Sequence, residues 1–575
     1  MSRKKRGFEK KVFCSEKGAV VKRNKGLIRL ALVYPNSYST GMSSLGFQTM
    51  YKFSNGLDNV ACERVFLPDK KGKDQSLKSC ETGLTLNAFD IVAFSISFEN
   101  DYLNIINMLN CSGIPLYSTR RTEAHPLVMA GGVACFMNPE PVSLFFDCFL
   151  LGEAECILNE FFKLYEAWRR ETPGGLRRTF LEKLASQLPG AYVPLLYRDE
   201  YGRDSRFKNL MPLSEELPAR IHVHHVQELS TIKTTTAVMT SQTAFKNIFL
   251  IETGRGCPHG CRFCSAGFVY RPPRFYPLDV IARAMDEAAA LTTRVGLVSP
   301  AVSDHPDINM ICAMAAEKNM KASFSSLRVD SLSTDMIDNL VCSGTKTVTI
   351  APEAGSERMR RIINKKISEA DILSAVNRLV SAGIIHIKLY FMIGLPFETD
   401  ADIEAIAALT LKIKNIFVEA SRKQKKIGHI TMSINSFVPK PGTPFQWTAM
   451  LPVSRLKNKL NVIKSSLKKV SNLRIHAESP RMSTINALLA RGDRRMAEVI
   501  ETAVEQGWTT GFKVHDRYCR DQLYGQRPLH GPLPWDFIDT GIKKEFLQKE
   551  FSRAESEKIS RDCPMIDCGQ CRICR

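Results

Sequence analysis

From Asn247 onward, short apolar strands and helical stretches alternate six times, and few folds accept that pattern. The strand-like runs are IFLIETGRG, RVGLVSPA, KASFSSLRVD, KTVTIAPEAG, HIKLYFMIGLP and HITMSINSFVPK. Helical patterns such as PLDVIARAMDEAAALT and DADIEAIAALTLKIKNI follow them. Parallel strands need a long crossover, usually a helix, so the repeat predicts a parallel (β/α)6 barrel or part of one. Such a barrel places its chemistry in the loops after the strands.

A second alternating pattern lies between Leu27 and Glu155, with apolar runs LIRLALVYP, DIVAFSIS, PLVMAGG and CFLLGEAE. Continuous Val/Ile/Leu-rich runs predict a Rossmann-like parallel sheet covered on both faces. The loops after these runs, which include Gly131 and Gly132, are where an open sheet would hold a ligand. At 575 residues the chain is too long for one core, so two to four domains are expected. The pattern divides it into 1–155, an α/β sheet domain; 156–245, a connector; 246–470, the barrel; and 471–575, a basic C-terminal domain. In the connector, RIHVHHVQEL sets His222 and His224 on one face of a strand. Without a third ligand nearby, an exposed strand is favoured over a metal site.

No apolar run approaches the roughly 20 residues that cross a bilayer, and the basic start MSRKKRGFEKKVF has no apolar segment behind it. These features predict a cytoplasmic, reducing setting with no membrane partner, where 17 cysteines read as buried thiols and metal ligands. From Ser421 to Arg575, 28 Lys and Arg stand against 15 Asp and Glu, a net of +13. A basic final quarter attracts polyanions such as RNA. The alternative is a solvated basic surface.

The loop after the first barrel strand, ETGRGCPHGCRFCSAGF, packs Cys257, Cys261 and Cys264 into eight residues. Zinc prefers a closed set of four ligands, commonly from two separated pairs. No second C-x-x-C follows at that distance, and a tight loop aims His259 away from a shared metal. An iron–sulfur cube suits three local thiolates, each on its own iron, with one iron left for an exogenous ligand.

The spacing C-x-x-x-C-x-x-C, with Phe263 before the last cysteine and the motif after the first of six barrel strands, resembles the radical S-adenosylmethionine (SAM) superfamily. The resemblance implies a 4Fe-4S cluster on Cys257, Cys261 and Cys264 whose free iron is chelated by SAM. It further implies reductive cleavage of SAM to a 5′-deoxyadenosyl radical, with electrons from a flavodoxin- or ferredoxin-type donor. Other cofactor-binding positions follow by the same resemblance: Ser299 near the SAM amino group, Arg328 at its carboxylate, Glu353 at the ribose or ammonium, and Met392, Ile393 and Gly394 beside adenine. The alternative for each is ordinary packing or, for Arg328 and Glu353, a salt bridge.

PLVMAGGVACFMNPEP with CFLLGEAE resembles the cobalamin-binding-like domain of one branch of that superfamily. Cobalamin is therefore a further candidate cofactor. The loop YPNSYSTGMSSLG departs from the D-x-H-x-x-G found in many such domains, so no His is available there for cobalt. The tail DCPMIDCGQCRICR places Cys563, Cys568, Cys571 and Cys574 in twelve residues, a set suited to a second iron–sulfur cluster or to zinc. FVPKPGTPFQW, LLARGDRR and PLPWDFIDTG extend the resemblance to a largely uncharacterised subgroup. That subgroup implies a His where this chain has Gly442, so no catalytic role rests there. Arg491, Asp493, Arg494 and Arg495 form a charged knot, read as a phosphate site or a packing contact. The expected activity is radical methylation or methylthiolation of an unknown substrate, with RNA a candidate. The alternative is an RNA- or protein-binding module with structural or redox-sensing clusters.

Overall fold

The computed structural model describes residues 16–23, 25–68, 77–325, 327–565 and 573–574. Its first sheet contains β1 (Ile28–Ser37), β2 (Val60–Leu67), β3 (Ile91–Ser95), β4 (Leu127–Gly131), β5 (Cys148–Leu150) and β6 (Ala191–Tyr192). Their order is β2-β1-β3-β4-β5-β6, parallel through β5, with β6 antiparallel. Leu30 to Tyr34 are all buried, as a run covered on both faces must be. The chain leaves β1 toward one side and enters β3 on the other, so the crevice of this doubly wound sheet opens at their carboxyl ends.

β2 has no counterpart among the apolar runs of the sequence, because Glu63 and Arg64 interrupt it. Both are buried. The Arg64 guanidinium forks between Glu16 at 2.8 Å and Glu81 at 2.7 Å, and buried charge is tolerated when it is paired in this way. β6 draws its residues from the stretch 156–245, so the first sheet takes in chain beyond residue 155.

The barrel strands are β7 (Phe249–Glu252), β8 (Arg294–Val298), β9 (Lys321–Phe324), β10 (Thr347–Glu353), β11 (His386–Ile393), β12 (His429–Ser436) and β13 (Leu473–Ala477). All six expected runs form strands, and β13 adds a seventh past residue 470. They pair in parallel as two arcs, β7-β8-β9 and β10-β11-β12-β13. Along β11, buried Ile387, Leu389, Phe391 and Ile393 alternate with half-buried His386, Lys388, Tyr390 and Met392. Successive side chains face opposite sides, so the apolar set meets the helices and the polar set lines the lumen.

Four helices matter below: α1 (Ala154–Glu171), α2 (Asp400–Lys423), α3 (Val453–Leu467) and α4 (Lys544–Glu555). α2 opens with a capping box between Thr399 and Asp402. α3 buries Leu456, Leu460, Ile463 and Leu467 as one helical stripe against the barrel. Among the described residues, no helix is long and apolar enough to cross a membrane.

The two sheets are joined by charge. Glu153, just after β5, receives Arg255 at 2.8 Å and Arg274 at 2.7 Å, while Arg255 also reaches Glu155 and Glu252. Burial would raise the Glu153 carboxyl, but His225 and the two guanidiniums hold it well below the ordinary carboxylate range. Arg255 lies two residues before Cys257, so the network fixes the first unit beside the cysteine loop.

Candidate functional site

The cysteine loop leaves β7 through Gly256, whose φ is +78° and whose added Cβ would meet the Tyr270 carbonyl oxygen at 2.4 Å. Only glycine fits there. Three side chains then hold the loop from behind. The Arg262 N–H donates to the Ile363 carbonyl at 3.0 Å, and its guanidinium donates to Ile362 O at 2.7 Å and Lys558 O at 2.7 Å. That guanidinium also pairs with Glu550 of α4 at 3.1 Å. Asn364 Nδ2 donates to the Gly260 carbonyl at 3.0 Å. His259 lies between Asp304 at 2.9 Å and Asp562 at 3.2 Å, so both ring nitrogens are engaged with carboxylates.

Burial raises all three thiols, Cys257 to about 12 and Cys264 to about 11. Cys257 feels Cys261 and Cys264, while Lys365 and Arg328 partly offset the rise at Cys261. Cys261 is buried and Cys257 and Cys264 are half-buried, and neighbouring thiolates there repel one another and are stabilised by a bound cation. Among the described residues no three His, Cys, Asp or Glu side chains are gathered as a site for a metal ion; the three thiols suit instead an iron–sulfur cube, which would place each on its own iron, with no fourth side chain from the loop.

Around this loop the carboxyl ends of the strands supply a cavity of about 430 Å³, lined by Phe263, Glu353, Tyr390, Met392, Asn435 and Lys440 among others. Glu353 ends β10 at a bulge with φ +66°. A non-glycine residue held at positive φ stores strain of the kind found at functional sites. Burial raises its carboxyl, and Lys365 stands 3.8 Å away. Lys440 on the cavity wall reaches Glu99 of the first unit at 2.6 Å, so that unit closes one side of the mouth.

The other expected positions separate. Arg328 stays close enough to act on Cys261, but its fork holds Asp330 at 3.0 and 2.6 Å. The Ser299 hydroxyl accepts from the Ala301 N–H at 3.2 Å. Met392 lines the cavity, whereas Ile393 points to the opposite side and is buried in the core, as strand alternation requires. The Gly394 N–H donates to the Glu398 carboxylate at 2.9 Å with φ +79°. Gly442 is likewise left-handed, and its N–H donates to Gln446.

The charged knot is a packing contact: Arg494 pairs with Glu140 of the first unit at 3.1 Å, Arg495 with Asp493 at 2.6 Å, and buried Arg491 donates to backbone carbonyls including Gln522. His222 pairs with Asp539 at 2.9 Å, and its strand joins Ile538–Asp539. Of the tail cysteines, Cys563 is buried, with its N–H on the Pro258 carbonyl at 2.9 Å. Cys574 forms a backbone bridge with Ile542. Cys568 and Cys571 lie outside the described residues.

Sequence reasoning passed over Arg262, Lys365, Asn435 and Asp562. Asn435 carries a signal in hindsight, a polar residue near the carboxyl end of a strand. Arg262 and Asp562 carry none, because their partners lie hundreds of residues away.

Residues 46–194 match the family model for radical SAM proteins, N-terminal, and residues 251–410 match that of the radical SAM superfamily. An uncharacterized protein of Methanocaldococcus jannaschii is 30% identical over 474 residues, 82% of this chain and 90% of its own. Another, from Methanopyrus kandleri, is 26% identical over 34% of this chain and 38% of its own. Among solved structures, the radical SAM methyltransferase TsrM of Kitasatospora setae, with cobalamin and a [4Fe-4S] cluster bound, covers 83% of this chain and 99% of its own. Its TM-score is 0.46 and its identity 11%. The cobalamin-dependent radical enzyme OxsB covers 92% of this chain and 80% of its own, with TM-score 0.39 and identity 12%.

Proposed function

Because the chain belongs to the radical SAM superfamily, we propose that it cleaves SAM at the loop of Cys257, Cys261 and Cys264 and uses the radical to transfer a methyl or methylthio group. When bound, the family's iron–sulfur cube supplies one electron to the SAM sulfonium, and the cofactor carries that hard step. The observation that supports this reading is that Cys261 lies within electrostatic reach of Lys365, Arg328 and Glu353, and that strained Glu353 in turn lines the cavity.

The chain's own residues bind, orient and exclude water. Glu353 and Lys365 present opposite charges, which suit the ammonium and carboxylate of an amino acid. Phe263 and Met392 give an apolar wall for adenine. The Glu99–Lys440 pair closes the mouth against water, which strengthens every electrostatic contact inside.

The methylthio alternative is supported by the tail, since Cys563 docks on the loop through Pro258. A second cluster or zinc there would be held by Cys563, Cys568, Cys571 and Cys574. The methyl alternative is supported by the doubly wound first sheet. There the crevice between β1 and β3 is bridged by Asn36, which donates to Asp101 at 2.9 Å. Neither loop supplies a His for cobalt, so no step is assigned to cobalamin.

The test is anaerobic reconstitution with iron and sulfide, followed by SAM and dithionite. 5′-Deoxyadenosine should form with the wild-type chain and not with Cys261→Ala. Absence of cleavage by the reconstituted wild-type chain overturns the proposal. Iron counting then separates one cluster from two.

A further inference from the structure

Between Glu419 and Glu478 lie 58 residues without one Asp or Glu, and 12 of them are Lys or Arg. Two of the twelve are in ion pairs, Lys440 with Glu99 and Lys459 with Glu398. The remaining ten are exposed, and among the described residues none has a carboxylate partner. A basic surface segment that is only solvated is normally interspersed with acids; between Glu419 and Glu478 this one has none.

The fold arranges these cations as a track. α3 follows β12 and so starts near the mouth, then runs back along the outside of the barrel for about 22 Å. Lys457 is exposed near its mouth end, and Lys464, Lys468 and Lys469 near its far end. The loop that follows α2 adds Lys425 and Lys426 at that same far end, just before β12 begins. No Phe, Tyr or Trp is exposed in this segment, so the track is built for backbone phosphates rather than for stacked bases.

We propose that this track binds the phosphate backbone of a folded RNA and leads it to the mouth, making RNA the substrate class of the proposed radical SAM site. The inference rests on that reading for the chemistry alone; the binding stands on the track. RNA is favoured over duplex DNA because a recessed mouth reaches only an unpaired base. RNA loops display such bases, whereas a duplex must first unstack one.

Binding is measured on the full-length chain by anisotropy with a labelled RNA hairpin, a DNA duplex of equal length, and vesicles rich in phosphatidylserine. RNA should bind most tightly and weaken about 10³-fold between 50 and 200 mM salt. The variant Lys425→Glu/Lys426→Glu/Lys468→Glu/Lys469→Glu should bind at least about 10-fold more weakly. Its salt slope should fall by roughly 3, at about 0.7 per lost phosphate contact. Reversal of Lys52, Lys163, Arg170 and Arg178 in the first unit should leave RNA binding unchanged. Equal binding by the track variant, or stronger binding to duplex or vesicles, overturns the proposal. SAM cleavage without RNA is assayed separately and should be the same in the track variant and wild type. A loss of RNA binding with cleavage intact therefore implicates the track, and a loss of cleavage in the wild type implicates the radical SAM reading.

Discussion

Replacing Arg262 by Met tests whether the back of the cysteine loop is held by a buried ion pair. The side chain is fully buried, and its donors serve Ile362 O, Lys558 O, Ser560 and the Glu550 carboxylate. Methionine keeps much of the volume and removes every donor. Glu550 would then be buried with only the Ser560 hydroxyl at 2.7 Å and Arg553 at 3.7 Å. Breaking one partner of a buried pair typically costs about 3–5 kcal/mol. Adding Glu550→Gln removes the stranded charge, so the double variant should recover about half of the loss. Hydrogen exchange of 544–563 is the direct assay. Trp447, whose ring lies 6.2 Å from Phe551 of α4, gives a fluorescence reading of the same docking in urea. An Arg262→Met chain as stable as wild type would refute the argument, as would a double variant less stable than the single.

Three further outcomes are expected. Cys257→Ala, Cys261→Ala and Cys264→Ala should each lose the iron–sulfur absorbance of the reconstituted chain and lower SAM cleavage by at least about 10³-fold, because a cube short of one corner ligand is labile. Glu353→Gly should raise stability by about 1 kcal/mol through relief of its φ of +66°, while SAM affinity measured by equilibrium dialysis falls at least about 10-fold. Asp562 is pulled down to about 2 by His259 and Lys366 against the effect of burial. A carboxyl with a depressed folded pKa contributes stability above its unfolded pKa of about 3.9 and loses it as pH falls. Protease cleavage of the tail should therefore be slowest between about pH 5 and pH 6.5, accelerate below pH 4 toward pH 2, and rise again at alkaline pH as His259, whose pKa is raised against burial by Asp304 and Asp562, loses its proton.

Much of the fold was legible because the barrel runs are apolar and the helices between them periodic. β2 was hidden since Glu63 and Arg64 read as exposed until Glu16 and Glu81 are seen to enclose Arg64. The three cysteines stood out from spacing alone as candidate ligands. The place of Ile393 was not legible, because a motif names neighbours together while a strand sends them to opposite faces. Arg328 was legible as either a SAM contact or a salt bridge, and the carboxylate its fork holds is Asp330, two residues on. The tail's contact with the loop left no trace at all, since Cys563 and Pro258 are brought together only by tertiary structure.

That contact sets an order of events. The thiols at 257–264 leave the ribosome some three hundred residues before Glu550, Ser560 and Asp562, which brace them from behind. A nascent chain halted between those points would display the cysteines on an unsupported loop. Stable cofactor insertion therefore belongs after translation has passed the brace, and truncated chains should emerge without iron.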